Sequence, residues 1–312
     1  MSYRPPALIV LNPAAHGGRG TRRFEAVRPS VESNFEALLV VGRSDGQWIA
    51  DLHRALSRGV RVFIAAGGDG TAHALLNALV NAPRRPPLHE VTLGAIGLGS
   101  SNDLHKPVRA RIDGVPVLLD ASRAAPRDVV HCRYASGSTT NDACFLVSAS
   151  LGLTACANAR FSDSDATAHG LRKASTPLAI AWAAISTLAY WRNLNATVRI
   201  DGNEPMKVAL SSLNVLKTEW ISGRLHLGHS AAPDSGDFDV ALAIGLGRLR
   251  LAFDILALLR GRFDGRPGHW RALARSLDVW LEDETALELD GEIASAEEVH
   301  FDIFPERIRL CA

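Results

Sequence analysis

The sequence is poor in the features that announce several function classes. Only four cysteines, Cys132, Cys144, Cys156 and Cys311, occur in 312 residues. None forms a C-x-x-C pair and no metal-ligand cluster surrounds them, which excludes a zinc ribbon or a disulfide scaffold. Buried thiols in a reducing, cytoplasmic setting are the expectation. The formal net charge is +1, too small for the bulk field of a nucleic-acid binder. No apolar run reaches the ~20 residues of a membrane helix. The most apolar longer stretch, Pro177–Trp191, falls short, and the N-terminal run lacks a signal-peptide layout. If the protein meets a membrane, it does so from the side. The phosphate-binding pattern GxxxxGK[ST] is absent, as are internal repeats and low-complexity tracts. Arginine far outnumbers lysine, which reads as codon usage more than function.

What is present suits a folded chain of two domains. Hydrophobic residues make up 47% and charged residues 21%. Ala7–Leu11 reads as a buried strand ended by Asn12-Pro13 and a Gly-rich loop through Gly20, with Thr21 placed to cap a helix over Arg22–Arg28. Strands over Phe35–Val41, Val60–Ala66 and Val91–Leu98 alternate with helices over Trp48–Arg58 and Ala72–Val80. That alternation predicts a parallel sheet with helices on both faces. After about Asp128 short alternating segments dominate: Ala143–Ser150, Ala196–Asp201, Met206–Leu213, Arg224–Gly228, Phe238–Ile244, Ser276–Leu281 and Ala286–Leu289. They predict an antiparallel sandwich or barrel, interrupted by helices near Pro177–Trp191 and Leu249–Leu259.

Three motifs carry chemistry. Gly67-Gly68-Asp69-Gly70-Thr71 lies between a buried strand and a helix. Its glycines allow close backbone approach to a ligand, and the N–H groups at the helix start can cradle phosphate. Asp69, an acceptor, suits a metal, a ribose or a hydroxyl better than phosphate. A tight turn with a capping aspartate is the plainer alternative. Gly97-Leu98-Gly99-Ser100-Ser101-Asn102-Asp103 ends the next strand, at the same sheet edge. Ligands of open α/β sheets bind beyond the carboxyl ends of the strands, so two such loops point to a nucleotide site more strongly than one. Asp290-Gly291-Glu292 taken alone is a hairpin turn.

Asn12-Pro13 with its Gly-rich loop, Gly67–Thr71, Gly99–Asp103, Asp234–Asp239 and Asp290–Glu292 follow one another as in the diacylglycerol kinase catalytic family, which the chain resembles from about Ala7 to Leu310. That family includes bacterial lipid kinases, sphingosine kinases and ceramide kinases. The resemblance implies an α/β nucleotide-binding domain over residues 1–128 plus about 299–312. It implies a β-sandwich-like, lipid-substrate domain over 129–298, with Val299–Leu310 returning to the first domain. ATP would lie between the domains with Mg²⁺ on its phosphates. Asn12, Gly67, Gly68, Asp69, Gly70, Thr71, Ser100 and Asn102 would bind the nucleotide. Glu292 would be the general base, with Asp69 also in the catalytic set. Asp69, Asp103 and Asp128 match a family acidic network near the metal, and Asp234 and Asp237 are further metal candidates. The chain departs from the family pattern at Ala74, where a Glu is usual, at Ser100, where a Thr is usual, and at Gly42, where a nucleotide-contacting Thr is usual. It also carries Ser235 in place of the second Asp of an Asp-Asp-Gly segment.

The implied partner is a lipid at a membrane surface, with monomer and homodimer both left open. A kinase acting on a soluble dinucleotide, as NAD kinases do, shares a version of Gly67–Thr71 and is the first alternative. A regulator that binds without catalysing is the second. His16, His73 and His105 lie in or near the loops and read as solvated or packed histidines. Trp182–Trp191 suits a lipid interface and a core helix about equally. Arg248, Arg250, Arg260 and Arg262 suit anionic headgroups, although a solvated basic face is the plainer reading.

Overall fold

The computed structural model describes residues 4–42, 46–162, 176–223, 225–228, 230–262 and 265–312. The chain forms two compact units, one of Met1–Val129 with Pro305–Ala312 and the other of Val130–Phe304.

In the first unit, continuous apolar runs make the strands, three of them buried on both faces and the edge strand Glu36–Val41 exposed or half-buried along its length. They are β1 (Pro6–Leu11), β2 (Glu36–Val41), β3 (Val62–Gly67) and β4 (Thr92–Gly97), and they pair in the order β2-β1-β3-β4, all parallel. The C-terminal β19 (Ile308–Leu310) adds in parallel beside β4, and β7 (Ala125–Arg127) closes that side antiparallel. Two short strands, β5 (Arg111–Ile112) and β6 (Val115–Leu118), form a hairpin on β4. Helices cover the sheet: a distorted turn α1 (Ala15–Gly18), then α2 (Gly20–Asn34), α3 (Gln47–Ser57) and α4 (Asp69–Val80). The expected helix over Arg22–Arg28 is longer at both ends. It starts at Gly20 without a side-chain cap and continues through Pro29. Phe24, Val27 and Val31 are buried with Ile9 and Ile64, and that packing outweighs the lost N–H of the proline.

The second unit is antiparallel, in the order β16-β15-β12-β10-β17-β18-β8-β9, with β11 pairing with β12 and β17. Its strands are β8 (Val130–Ser136), β9 (Thr139–Phe145), β10 (Ser148–Gly152), β11 (Leu194–Ile200), β12 (Met206–Leu216), β15 (Phe238–Ile244), β16 (His269–Ala274), β17 (Ser276–Leu289) and β18 (Glu292–Ile303). A separate hairpin joins β13 (Trp220–Ile221) to β14 (Leu225–His226). The long β12 and β17 each pair with β10 along one half and β11 along the other. Their alternate residues Leu210, Val215, Leu277, Val279 and Leu287 meet Phe145, Phe238 and Phe301 in the core. Helices α5 (Leu153–Ser162), α6 (Thr176–Tyr190) and α7 (Arg248–Leu258) complete the unit. No described helix is long and apolar enough to cross a membrane.

Three expected boundaries move, each for a physical reason. Ser276–Leu281 and Ala286–Leu289 belong to one strand, because the exposed Glu282-Asp283-Glu284 run is carried by a bulge in its pairing with β18. Ala143–Ser150 is split between β9 and β10. The return to the first unit begins at Pro305, not at about Val299, because β18 stays paired with β8 through Ile303. Arg224, where one expected segment begins, lies outside the described residues.

The break between β9 and β10 is held by a buried carboxylate. Asp290 is 4% exposed and accepts from the backbone N–H groups of Leu146 (3.0 Å), Val147 (2.9 Å) and Ser148 (3.1 Å). Asp290 and Gly291, with φ of 49° and 91°, form the tight β17–β18 turn and so set the first residue of β18, Glu292.

On the opposite stretch of β18, His131 Nδ1 meets Asp302 (2.9 Å) and its Nε2 meets Asp142 (2.8 Å). The Asp302 hydrogen bond, opposed by burial and joined by Asp142, raises the His131 pKa above 6.5.

Two predictions follow from these anchors. Asp290→Gly, which keeps the left-handed backbone accessible, should lower the unfolding free energy by about 2–4 kcal/mol in urea titration, since three buried donors lose their acceptor. A loss below about 0.5 kcal/mol would mean that water replaces the carboxylate. His131 binds its proton more tightly folded than unfolded. Its contribution is therefore complete below about 6.5 and is lost as pH rises through the folded value. The stability difference between wild type and His131→Gln should hold below about pH 6.5 and shrink as pH rises above it, and a flat difference would refute the doubly bonded imidazolium.

Candidate nucleotide site at the switch point of the parallel sheet

The strand order β2-β1-β3-β4 reverses direction between β1 and β3, so the loops that follow these two strands diverge and leave a crevice. Asn12 ends β1 and Gly67–Thr71 follows β3. The two are tied across the crevice by Asn12 Nδ2, which donates to Thr71 Oγ1 (3.3 Å). Asn12 Oδ1 accepts from the Ala14 N–H (3.0 Å), which shapes the start of the Gly-rich loop.

The second loop lies directly against the first. Leu98 N–H donates to Gly67 O (2.8 Å), and a Cβ on Gly99 would sit 2.5 Å from Gly68 Cα. A side chain at Gly99 would therefore force the two backbones apart. Asn102 shapes the second loop from within. Its backbone is left-handed, its Oδ1 accepts from Gly99 N–H (3.0 Å) and its Nδ2 donates to Gly99 O (3.0 Å). Asp69 joins the loops: Oδ2 accepts from Asp103 N–H (3.0 Å) and Oδ1 from Leu104 N–H (3.1 Å). Gly70 lies in the first turn of α4 and Ser100 is exposed in the second loop.

The flank is cationic. Arg23 Nη1 donates to Leu98 O (3.2 Å). Burial lowers the Arg23 pKa from its usual range. Burial first, then the charges of Arg23 and Arg19, push the His16 pKa down. Beneath the second loop, His105 is 6% exposed and burial drives its pKa down to about 4, so it is packed as a neutral ring. His73 lies along α4. The arrangement offers what a triphosphate needs: a backbone surface without Cβ atoms, a helix N-terminus and guanidinium charge.

The remaining sequence candidates have other surroundings. Asp103 is ion-paired with Lys106. Asp128 is 1% exposed and accepts from Arg307 Nε (2.7 Å), next to the β7–β19 pairing. In the second unit Glu292 is exposed at the start of β18, Asp234 is exposed in the loop before β15, and Asp237 accepts from Ser235 Oγ. Among the described residues no group of three or more His, Cys, Asp or Glu could hold a metal ion by itself. Asp69 and Asp103 offer hard oxygen donors. They fit Mg²⁺ only as a minority of its ligands, the rest coming from phosphate and water.

Sequence reasoning missed several contributors. Arg23 is drawn in by the turn at Ala15–Gly18, together with His16, which the sequence offers only as a solvated or packed loop histidine; the left-handed backbone there has no pattern in sequence. Lys217 is 1% exposed and donates to Ala232 O (2.6 Å) and Asp237 O (2.7 Å), holding the loop that carries Asp234. A lone lysine following Val215-Leu216 in a segment of otherwise uncharged residues, Val208–Leu216, is the one signal that could have marked it.

Comparison with known proteins agrees with this geometry. Residues 6–132 match the diacylglycerol kinase catalytic domain, and residues 148–312 match the YegS C-terminal NAD kinase β sandwich-like domain. A diacylglycerol kinase of Staphylococcus haemolyticus is 30% identical over 125 residues, 38% of this chain and 35% of that protein. One from Staphylococcus carnosus is 22% identical over 93% of this chain and 89% of that protein. A crystal structure of a diacylglycerol kinase from Bacillus anthracis str. Sterne shares the fold with a TM-score of 0.67 at 16% identity, covering 100% of this chain and 98% of that one. Yeast NADH kinase, solved with NADH, shares it more loosely, with a TM-score of 0.55 at 11% identity, covering 100% of this chain and 84% of that one. With both of its units matched by family models, the chain belongs to the diacylglycerol kinase-like family.

Proposed function

We propose that this protein is an ATP-dependent lipid kinase that transfers the γ-phosphate of ATP to a hydroxyl group of a lipid, with diacylglycerol the first acceptor to test and sphingoid bases or ceramide next. The observation that carries the reading is the pair of glycine loops joined by Asp69 at the switch point, in a chain that also presents an exposed carboxylate, Glu292, just past a tight turn.

The roles follow from chemistry. The Gly67–Thr71 and Gly99–Asp103 backbones hold the phosphates, Arg23 adds positive charge beside them, and Asn12 and Thr71, bonded to each other across the crevice, fix its width at the nucleotide. Ser100 and Asn102 complete the nucleotide contacts. Glu292 takes the proton from the lipid hydroxyl as its oxygen forms a bond to the γ-phosphorus and the bond to the β–γ bridging oxygen breaks, releasing ADP. Mg²⁺, when bound, supplies charge neutralisation on the phosphates. Asp69, Asp103, Asp128, Asp234 and Asp237 are its candidate contacts, Asp69 and Asp103 the foremost because they adjoin the phosphate loops.

The likeness in fold to yeast NADH kinase favours one second reading, a soluble dinucleotide as acceptor. Labelled ATP offered with NAD or with a lipid extract separates the two, and transfer to NAD alone overturns the lipid reading.

Two substitutions test the roles. Glu292→Gln should lower turnover by about 10²–10⁴-fold and leave ATP affinity within about twofold, measured by steady-state kinetics and calorimetry. Unchanged turnover removes Glu292 from the mechanism. Asp69→Ala frees the N–H groups of Asp103 and Leu104 and should weaken ATP binding at least about tenfold. Wild-type affinity in that variant would make the loop pairing irrelevant to nucleotide binding.

A further inference from the structure

Helix α7 (Arg248–Leu258) presents an apolar stripe to solvent. Leu249 is 81% exposed, Phe253 64% and Leu256 49%, and Leu259, just past the helix end, is 50% exposed. Their spacing of four, three and three residues puts them on one face. The opposite face accounts for the helix being there at all. Leu251 and Ile255 pack with Trp191, Leu153, Ala243 and Leu246, while Leu258 packs on the cluster of Leu216, Ile221, Leu227 and Ala241. The exposed stripe is thus surplus to folding. Helix α6, which packs on α7, exposes Ile185 (69%) and Tyr190 (79%) as well.

The charges around this stripe are predominantly positive. Residues 248–266 carry Arg248, Arg250, Arg260, Arg262 and Arg266 against Asp254 and Asp264. Asp254 is buried and already shared among Arg266, Arg250 (3.6 Å) and His269 (3.2 Å). Arg248 donates to the Trp191 carbonyl (3.0 Å) and Arg260 to the Leu256 carbonyl (3.3 Å), both neutral partners, and neither forms an ion pair among the described residues. Arg248 and Arg250 flank Leu249, and Arg260 and Arg262 follow Leu259.

We propose that this face of α7 lies in the plane of an anionic lipid surface, with Leu249, Phe253, Leu256 and Leu259 inserted at the headgroup boundary and the arginines on the phosphates around them. An in-plane amphipathic helix needs this combination of bulky apolar residues and basic flanks. A second copy of the chain fits the stripe poorly. Antiparallel pairing of two such helices about a two-fold axis would set Arg248 and Arg250 against the other copy's Arg260 and Arg262. The choice of a lipid surface rests on the lipid-kinase reading and deepens it by assigning the side from which the membrane-borne acceptor is met.

The test uses the full chain and flotation with vesicles of one part phosphatidylglycerol to three parts phosphatidylcholine, against vesicles of phosphatidylcholine alone. Wild type should float with the anionic vesicles and lose binding as salt is raised. Leu249→Glu combined with Phe253→Glu should lower partitioning at least about tenfold, with an unchanged melting temperature because both side chains are exposed. Arg260→Glu with Arg262→Glu should lower it on the anionic vesicles and flatten the salt dependence, an independent check should the first pair misfold. Equal flotation of the variants and wild type overturns the proposal. So does wild type that ignores anionic vesicles, or a wild-type dimer that Leu249→Glu with Phe253→Glu dissociates. Phosphoryl transfer to a short-chain diacylglycerol in detergent is measured alongside and should survive in both double variants. If wild type binds vesicles but phosphorylates no lipid, the kinase reading falls and the docking face stands.

Discussion

The first unit depends on a carboxylate that spends both of its oxygens on backbone. Asp69 stands in the middle of a glycine loop, where its charge alone would repel a phosphate. It is turned instead toward the neighbouring loop and accepts the Asp103 and Leu104 N–H groups. That contact orders two segments with little side-chain mass of their own. The close approach of Gly68 and Gly99 would otherwise rest on weak dispersion between bare backbones. Fixed in advance, the loops need less ordering when a ligand arrives, and less of the binding energy is spent on restricting the chain.

The second unit uses the same device. Asp290 accepts N–H groups from the connection between β9 and β10, and Glu288 beside it accepts from Ser150 Oγ (2.7 Å). The turn residue most easily read as a solvent-facing hairpin tip is a buried structural acceptor. The acidic residue two positions later, Glu292, is exposed and has left the turn. Within Asp290-Gly291-Glu292 the duties are divided: the first residue holds the fold, the second supplies the left-handed backbone, and the third is left exposed to solvent.

Much of this was legible in the sequence because the governing signals are local. Buried parallel strands read as apolar runs: Ala7–Leu11, Val60–Ala66 and Val91–Leu98 were expected on that ground, and the strands run Pro6–Leu11, Val62–Gly67 and Thr92–Gly97. The glycine loops were recognisable because close backbone approach leaves a mark in composition. Long-range partners leave none. Nothing in the sequence links Arg307 to Asp128, Asp290 to Leu146, or Arg85 to Glu306, yet each pair is joined in the fold. The charged run Glu282-Asp283-Glu284 imitated a turn because a bulge tolerates polar residues that a flat strand would not. The exposed stripe of α7 escaped for a related reason: an apolar residue on a helix reads as core until the fold shows which face is covered.

The departures from the family pattern look different once placed in the fold. Ala74 is exposed on α4, and Ser100 keeps its hydroxyl at the open side of the second loop. Ser235 donates to Asp237, so the carboxylate missing at that position has a neighbour oriented by the residue that replaced it. Asp103 is ion-paired with Lys106 and Asp128 with Arg307. With so many carboxylates already engaged, the protein alone presents few ligands to a divalent ion. Mg²⁺ retains much of its water and takes phosphate oxygens readily, so the nucleotide would bring most of the coordination with it. A site built this way can lose an acidic residue without losing its chemistry. What it cannot lose is the geometry of the loops proposed to hold the phosphates.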